Sequence, residues 1–306
     1  MIGARVLGFV VAVSCALCAS LTAMPGQTTA PPTFMRPADL GKLPMPPADH
    51  VIPYGQDSNQ IGELRLPAAP GPHPIVVLVH GGCWMPQAAR YLAAIGDTLR
   101  SDGIATWNIE YRRLGQPGGG WPGTYLDVGH AIDHLRGLAA PYKLDLNRLV
   151  VLGHSAGGHL AMWVGTRQRI AARSPLFISK PLRIRGVINM AGPVDMTANI
   201  AHYEEMCRGP VVTNMMGGTP SAVPERYRNA SANTMLPLGV PQILIWGDHE
   251  DFVPQPLAEQ YVSAATRAGD RARLVLVPAA GHFETASPFT SAWPIVREAI
   301  RSLLLN

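Results

Sequence analysis

Along this chain, short apolar runs alternate with stretches in which apolar residues recur every three to four positions. The run Ile75-Val76-Val77-Leu78-Val79 contains no polar residue. Strands buried on both faces read this way, as in parallel sheets. Further strands are expected at Ile104–Ile109, Leu149–Leu152, Gly186–Met190, Gln242–Trp246 and Arg273–Val277. Helix-period segments fall between them, at Arg90–Arg100, Leu126–Leu138, Gly158–Thr166, Leu257–Ala268 and Ala292–Leu304. Gln60–Leu66 alternates apolar with polar positions, as an edge strand does. Strands and helices that alternate along the chain predict an α/β fold, a mostly parallel, doubly wound sheet with helices on both faces.

Three stretches depart from this pattern. Residues 193–238 have no clean period and many Gly and Pro, and are expected to form a cap over one end of the sheet. Residues 24–50 hold Pro25, Pro31, Pro32, Pro37, Pro44, Pro46 and Pro47, and can run neither as a helix nor as a central strand. They are expected to form an extended tether or an arm along the surface, with the catalytic domain at 51–306. Residues 1–23 read as a secretory signal peptide: Arg5, an apolar run from Val6 to Leu17, then small residues, with cleavage between Cys18 and Ala23. Cys15, preceded by Ala12-Val13-Ser14, is the alternative, a lipid-attachment site. Either way the apolar run is too short to span a bilayer comfortably, and a secreted or periplasmic protein is expected.

Composition narrows the function classes. The chain has 306 residues, 47% hydrophobic and 15% charged, with a net charge of +4. That composition supports a large core. The arginines are scattered, so no nucleic-acid footprint is present. Of four cysteines, only Cys83 and Cys207 lie beyond the leader. In an oxidising compartment they either pair or stay separate thiols, and sequence alone leaves both open.

The chemistry is concentrated at Gly153-His154-Ser155-Ala156-Gly157-Gly158. A strand ends there and a helix begins, with glycines on both sides of a serine. A strand reversing this sharply leaves no room for a Cβ beside the turn. The serine is then presented above the sheet at a helix N-terminus, where free N–H groups favour developing negative charge. This is the nucleophile-elbow pattern. Other candidates follow other strands, where ligands bind in such sheets. His80-Gly81-Gly82-Cys83-Trp84 follows the strand at 75–79. Its bare backbone can supply oxyanion donors, so the N–H groups of Gly82, Cys83 and Ala156 are the expected oxyanion hole. Asp248, Glu250 and Asp251 follow the strand at 242–246. His282 follows the last strand, third in the order serine, acid, histidine, and is the expected base. His80 and His154 read as structural, and His159 as an inert residue facing out of its helix.

With these residues in place, the chain resembles the α/β-hydrolase superfamily from Val51 to Leu305, in the esterase/lipase and arylformamidase branch with a His-Gly-Gly-X-Trp loop, here His80 to Trp84. The resemblance implies an α/β-hydrolase fold and a Ser155–acid–His282 triad. It places the acid three residues after Gly247 and four before Pro254, at Glu250, where most members have Asp. Asp251 is the runner-up and Asp248 the third choice. Tyr111-Arg112, Trp121-Pro122 and Asp127 are similar to a stretch of the hormone-sensitive-lipase relatives, which implies a structural Arg112–Asp127 pair. Trp84, Trp121 and Phe283 are candidate walls of a substrate pocket. The expected activity is hydrolysis of a small-molecule carboxylic ester through an acyl-enzyme, with no cofactor and no metal. An arylformamidase-type amide hydrolase is the alternative, disfavoured by the export leader. A non-catalytic binding member of the fold is the alternative from another class. The sequence does not specify oligomeric state.

Overall fold

Eight strands hydrogen-bond into one sheet in the order β1-β2-β4-β3-β5-β6-β7-β8. They are β1 His50–Pro53, β2 Ile61–Arg65, β3 His73–Val79, β4 Ala105–Ile109, β5 Leu144–His154, β6 Gly186–Met190, β7 Gln242–Gly247 and β8 Ala272–Val277. The computed structural model describes residues 1–3, 33–86 and 89–305. Strands β3 to β8 pair in parallel, and β2 is antiparallel to both β1 and β4.

The apolar strands divide their side chains between two cores, as a period of two requires. Ile75, Val77, Val79, Leu149 and Val151 face one core, with Ile132, Leu160 and Tyr261 from helices Gly123–Leu138, Ala156–Thr166 and Gln255–Arg267. Val76, Leu78, Val150 and Leu152 face the other, with Ile95, Leu99, Val296 and Ile300 from helices Ala93–Ser101 and Trp293–Leu305. Removing one of the larger side chains, Leu78 for example, would cost ~2–5 kcal/mol through lost transfer energy and the cavity left behind.

Three details differ from the sequence expectation. The β2 strand is not the edge, because the short segment His50–Pro53 at the end of the proline-rich stretch pairs along its outer side. The β5 strand begins at Leu144 rather than Leu149, since its polar start Asp145–Arg148 is partly exposed and carries no apolar signal. The proline-rich stretch does make a one-turn helix, Pro37–Leu40, because a proline is tolerated at the first helical position. Residues 193–238 hold short helical pieces within their aperiodic run, Ile200–Met206, Val211–Met216 and Pro224–Ala230.

Phe34–Asn306 forms one compact unit. The leader expected at residues 1–23, including Cys15, lies outside the described residues except for residues 1–3. Within residues 34–50 the chain makes a short helix at Pro37–Leu40, and the Met35 N–H donates to the Glu284 carboxylate. No helix among the described residues is long and apolar enough to cross a membrane.

Candidate active site

Ser155 stands between the end of β5 and the first turn of helix Ala156–Thr166, with φ 55° and ψ −124°. A non-glycine residue held there costs ~1–3 kcal/mol, which its surroundings must offset. They do so by tight packing of bare backbone. A Cβ on Gly153 would lie 2.0 Å from the Gly157 oxygen, and one on Gly157 would lie 2.0 Å from the Val79 oxygen. The Ser155 N–H donates to the Met190 carbonyl at 2.8 Å. Both expected glycines are therefore steric requirements of the turn.

His282 follows β8, as expected, and its Nδ1–H donates to Glu250 Oε1 at 2.8 Å. Both side chains are 1% exposed. The same Oε1 accepts the N–H groups of Phe252 at 2.8 Å and Val253 at 2.9 Å. The longer glutamate side chain thus curls onto its own loop and is fixed there. A carboxylate accepting at Nδ1 leaves Nε2 as the acceptor nitrogen of neutral His282. Neither alternative acid makes this contact. Asp248 accepts the Ala280 N–H at 3.2 Å, and Asp251 contributes only its backbone carbonyl, to His202 Nε2 at 3.0 Å. Phe252 stacks on the His282 ring at 4.4 Å, a neighbour that the sequence did not single out.

The loop His80 to Trp84 lies against the serine. A Cβ on Gly81 would fall 2.7 Å from the His154 oxygen and 2.8 Å from Ser155 Cβ. Gly82, Cys83 and Trp84 follow with φ of 104°, 56° and 54°, three successive left-handed residues. The N–H groups of Gly82 and Cys83 have no acceptor among the described residues. That of Ala156 is one of the orphan donors of a helix start. Gly82, Cys83 and Ser155 line one cleft. Cys83 is bonded to Cys207, with Cα atoms 6.0 Å apart. Of the two states that the sequence left open, the structure shows the disulfide.

A buried relay joins this loop to the histidine loop through the residue before the serine. The Gly81 N–H donates to Tyr91 Oη at 2.7 Å, and Tyr91 O–H donates to His154 Nδ1 at 2.7 Å. His154 Nε2–H donates to the His282 carbonyl at 3.0 Å. Burial, reinforced by the neighbouring His282, lowers the His154 pKa to about 3, so this ring stays neutral and fits one donor and one acceptor. Tyr91 is held well above the usual phenol range by burial. Sequence singled out His154 as structural but gave no signal for Tyr91, which lies in a different helical segment.

The cleft above Ser155 and His282 has a volume of about 730 Å³, with Leu40, Tyr91, Arg208 and Phe283 on its walls. A recess of about 20 Å³ lies beside Ala156, bounded by Trp84, Tyr203, Met206 and Phe252. Phe283 and Trp84 therefore take wall positions. Trp121 does not line either space. Its loop is fastened to the cap through the Trp121 N–H and the Met215 carbonyl at 2.8 Å, and its ring packs edge-on against Tyr125 at 5.5 Å. His159 does not face solvent either. The cap covers its helix, leaving it 1% exposed with Nε2 bonded to the Ala230 carbonyl at 3.0 Å. The Arg112–Asp127 pair is formed, with bonds of 2.8 and 2.7 Å from Nε and Nη2. No cluster of His, Cys, Asp and Glu suited to a metal occurs among the described residues.

Comparison with known proteins gives matches over most of the chain. A family model described as BD-FAE matches residues 63–264. The chain is 25% identical over 236 residues to a probable isoprenylcysteine alpha-carbonyl methylesterase from Oryza sativa subsp. japonica, covering 75% of this chain and 56% of that protein. It is 27% identical over 245 residues to esterase LipC from Mycobacterium tuberculosis, covering 75% and 58%. The chain thus spans a little over half the length of these curated relatives. Among solved structures, a Lactobacillus rhamnosis esterase B inhibited by a tributyrin phosphonate aligns with a TM-score of 0.70 at 20% identity, over 84% of this chain and 86% of that one. That likeness is one of fold.

Proposed function

The chain belongs to the BD-FAE family and has the α/β-hydrolase fold, and on that premise we propose that it is a serine hydrolase of carboxylic esters. The observation that carries this reading is the buried bond from His282 to Glu250 at the wall of the cleft that holds Ser155. In the proposed reaction Ser155 Oγ attacks the ester carbonyl carbon while His282 Nε2 takes its proton. Glu250 keeps the proton of the neutral ring on Nδ1 and stabilises the imidazolium once it forms. The N–H groups of Gly82, Cys83 and Ala156 receive the oxyanion. His282 then returns the proton to the leaving alkoxide. Water repeats the sequence on the acyl-enzyme and frees the acid.

We read the smaller space as the acyl site and the larger as the site of the alcohol half. The recess beside Ala156, about 20 Å³, is small, which supports a short acyl group. It fits an acetyl or propionyl group. The cleft of about 730 Å³ takes the alcohol half. We further propose that the protein is exported, a reading supported by the apolar leader and by the Cys83–Cys207 disulfide, since such bonds persist in oxidising compartments.

A panel of 4-nitrophenyl esters from acetate to octanoate, run beside N-formylkynurenine, tests the reading. The acetate and propionate esters should give the highest kcat/KM, and octanoate at least ten times less. Preference for the formamide over every ester would replace ester hydrolysis with amide hydrolysis. Absence of turnover on the whole panel would contradict both.

A further inference from the structure

The Cys83–Cys207 bridge joins two parts of the site that no backbone pairing joins among the described residues. Cys83 belongs to the oxyanion loop, and Cys207 follows the cap helix Ile200–Met206. Both cysteines line the cleft. The cap helix is held in turn at the acid loop, where His202 Nε2 donates to the Asp251 carbonyl at 3.0 Å. The bridge therefore anchors Cys83 to an element that is itself fastened beside Glu250.

Cys83 needs such an anchor. It sits at φ 56° between Gly82 at 104° and Trp84 at 54°. Left-handed backbone costs a non-glycine residue ~1–2 kcal/mol. Such conformations persist only where their surroundings fix them. Hydrogen bonds brace the loop around Cys83: the Gly81 N–H on the Tyr91 hydroxyl, the Met85 N–H on the Gly82 carbonyl at 2.9 Å, which closes a turn over Cys83 and Trp84, and the Leu114 N–H on the Trp84 carbonyl at 2.8 Å. At Cys83 itself, the only covalent tie beyond the chain is the sulfur bridge. The orientation of the Cys83 N–H depends on this conformation, and relaxation of φ to negative values would turn the peptide plane.

We propose that Cys207 is a positioning residue for the oxyanion hole: through the disulfide it holds Cys83 in the left-handed conformation that presents its N–H beside Ser155, so a dithiol reductant lowers turnover. This rests on the esterase reading of Ser155. Reduction is a two-electron exchange. A thiolate of the dithiol attacks one bridge sulfur and breaks the S–S bond, giving a mixed disulfide. The second thiolate closes the dithiol to its own cyclic disulfide, and Cys83 and Cys207 each end as a thiol carrying one proton. Both sulfurs lie on residues that line an open cleft, so the reductant can reach them.

The test uses the full chain, oxidised and after treatment with dithiothreitol, with alkylation and peptide mass analysis to read the state of Cys83 and Cys207. Complete loss of one oxyanion donor costs on the order of 10²–10³ in kcat, and a loosened donor less. Reduction should lower kcat for 4-nitrophenyl acetate about 10- to 100-fold, with KM within about threefold. Circular dichroism and the shape of the kcat/KM pH profile should stay unchanged. Oxidised glutathione should restore the rate. Cys207→Ser should show the same low kcat with no response to the dithiol. Reduced protein with both thiols free and more than half its kcat overturns the proposal. So does loss of the circular dichroism signal together with activity, which would make the bridge a stabilising cross-link only. If Cys207→Ser does not fold, the reduced natural chain decides by these same criteria. An oxidised protein with no turnover would sink the esterase reading itself, and this proposal with it.

Discussion

His154 Nε2–H donates to the backbone carbonyl of His282 at 3.0 Å, so the residue before the candidate nucleophile holds the loop that presents the candidate base. The other ring nitrogen accepts from Tyr91, which also receives the Gly81 N–H. One phenol and one imidazole thereby set the spacing of three loops that different strands deliver. Tyr91→Phe would leave a buried N–H and a buried imidazole nitrogen unpaired. At ~1–3 kcal/mol for each orphaned group, the variant should lose about 2–6 kcal/mol of stability in urea unfolding. Its kcat should fall at least about tenfold through misplacement of the loops. A variant within 0.5 kcal/mol of the natural chain would show that the relay has no energetic role.

Acid should destabilise the fold in a specific window. Burial lowers the pKa of His154 to about 3, and that of His159 to about 4. Both rings return to about 6.5 on unfolding. Between those values the unfolded chain binds the extra protons, so stability rises with pH. These contributions are fully present above about pH 6.5 and are lost as pH falls toward 4 and 3. Each histidine adds a slope of up to ~1.4 kcal/mol per pH unit within its window. Unfolding free energies measured by urea titration from pH 7 to 4.5 should fall steadily. A flat profile would mean that neither ring is held neutral.

The identity of the acid is open to a paired comparison. Glu250→Gln should cut kcat by roughly 10³–10⁴, because His282 loses its tautomer and its counter-charge. Asp251→Asn should cost no more than about tenfold, since Asp251 engages its neighbours through its backbone carbonyl. The reverse ranking would move the acid by one residue.

The N-terminal arm enters the site through Glu284, whose carboxylate holds the Met35 N–H and the Gly281 N–H, the latter at 2.9 Å. Pro37 and Leu40 of that arm line the cleft. In Glu284→Ala, residues 34–40 should exchange amide hydrogens about ten times faster. KM for esters of bulky alcohols should rise several-fold, with that for methyl acetate unmoved. Unchanged exchange would detach the arm from the site.

Much of this organisation is legible in the sequence, and the gaps have physical causes. Runs such as Ile75–Val79 announce buried parallel strands because burial on both faces leaves no place for a polar residue. Ser155 and His282 are legible because their chemistry is tied to fixed points, a strand-to-helix turn and the loop after the last strand. Trp121 and His159 were misplaced for a shared reason. Both lie under the cap, a segment without a period, and what an aperiodic segment covers depends on tertiary packing. Tyr91 and Phe252 gave no signal, since a hydroxyl bonded across the sheet and a ring stacked on an imidazole leave no spacing in one chain. Cys83 and Cys207 were visible as a pair of options, and only the 6.0 Å approach of their Cα atoms resolves them.

Covalent labelling decides whether Ser155 is a nucleophile activated by His282. The folded protein, treated with a fluorophosphonate, should gain the mass of one adduct per chain, located on the peptide containing Ser155. Ser155→Ala should take no label, keep its circular dichroism spectrum and lose on the order of 10⁴ or more in kcat for 4-nitrophenyl acetate. A folded Ser155→Ala protein that still labels or hydrolyses the ester at the natural rate would contradict the account.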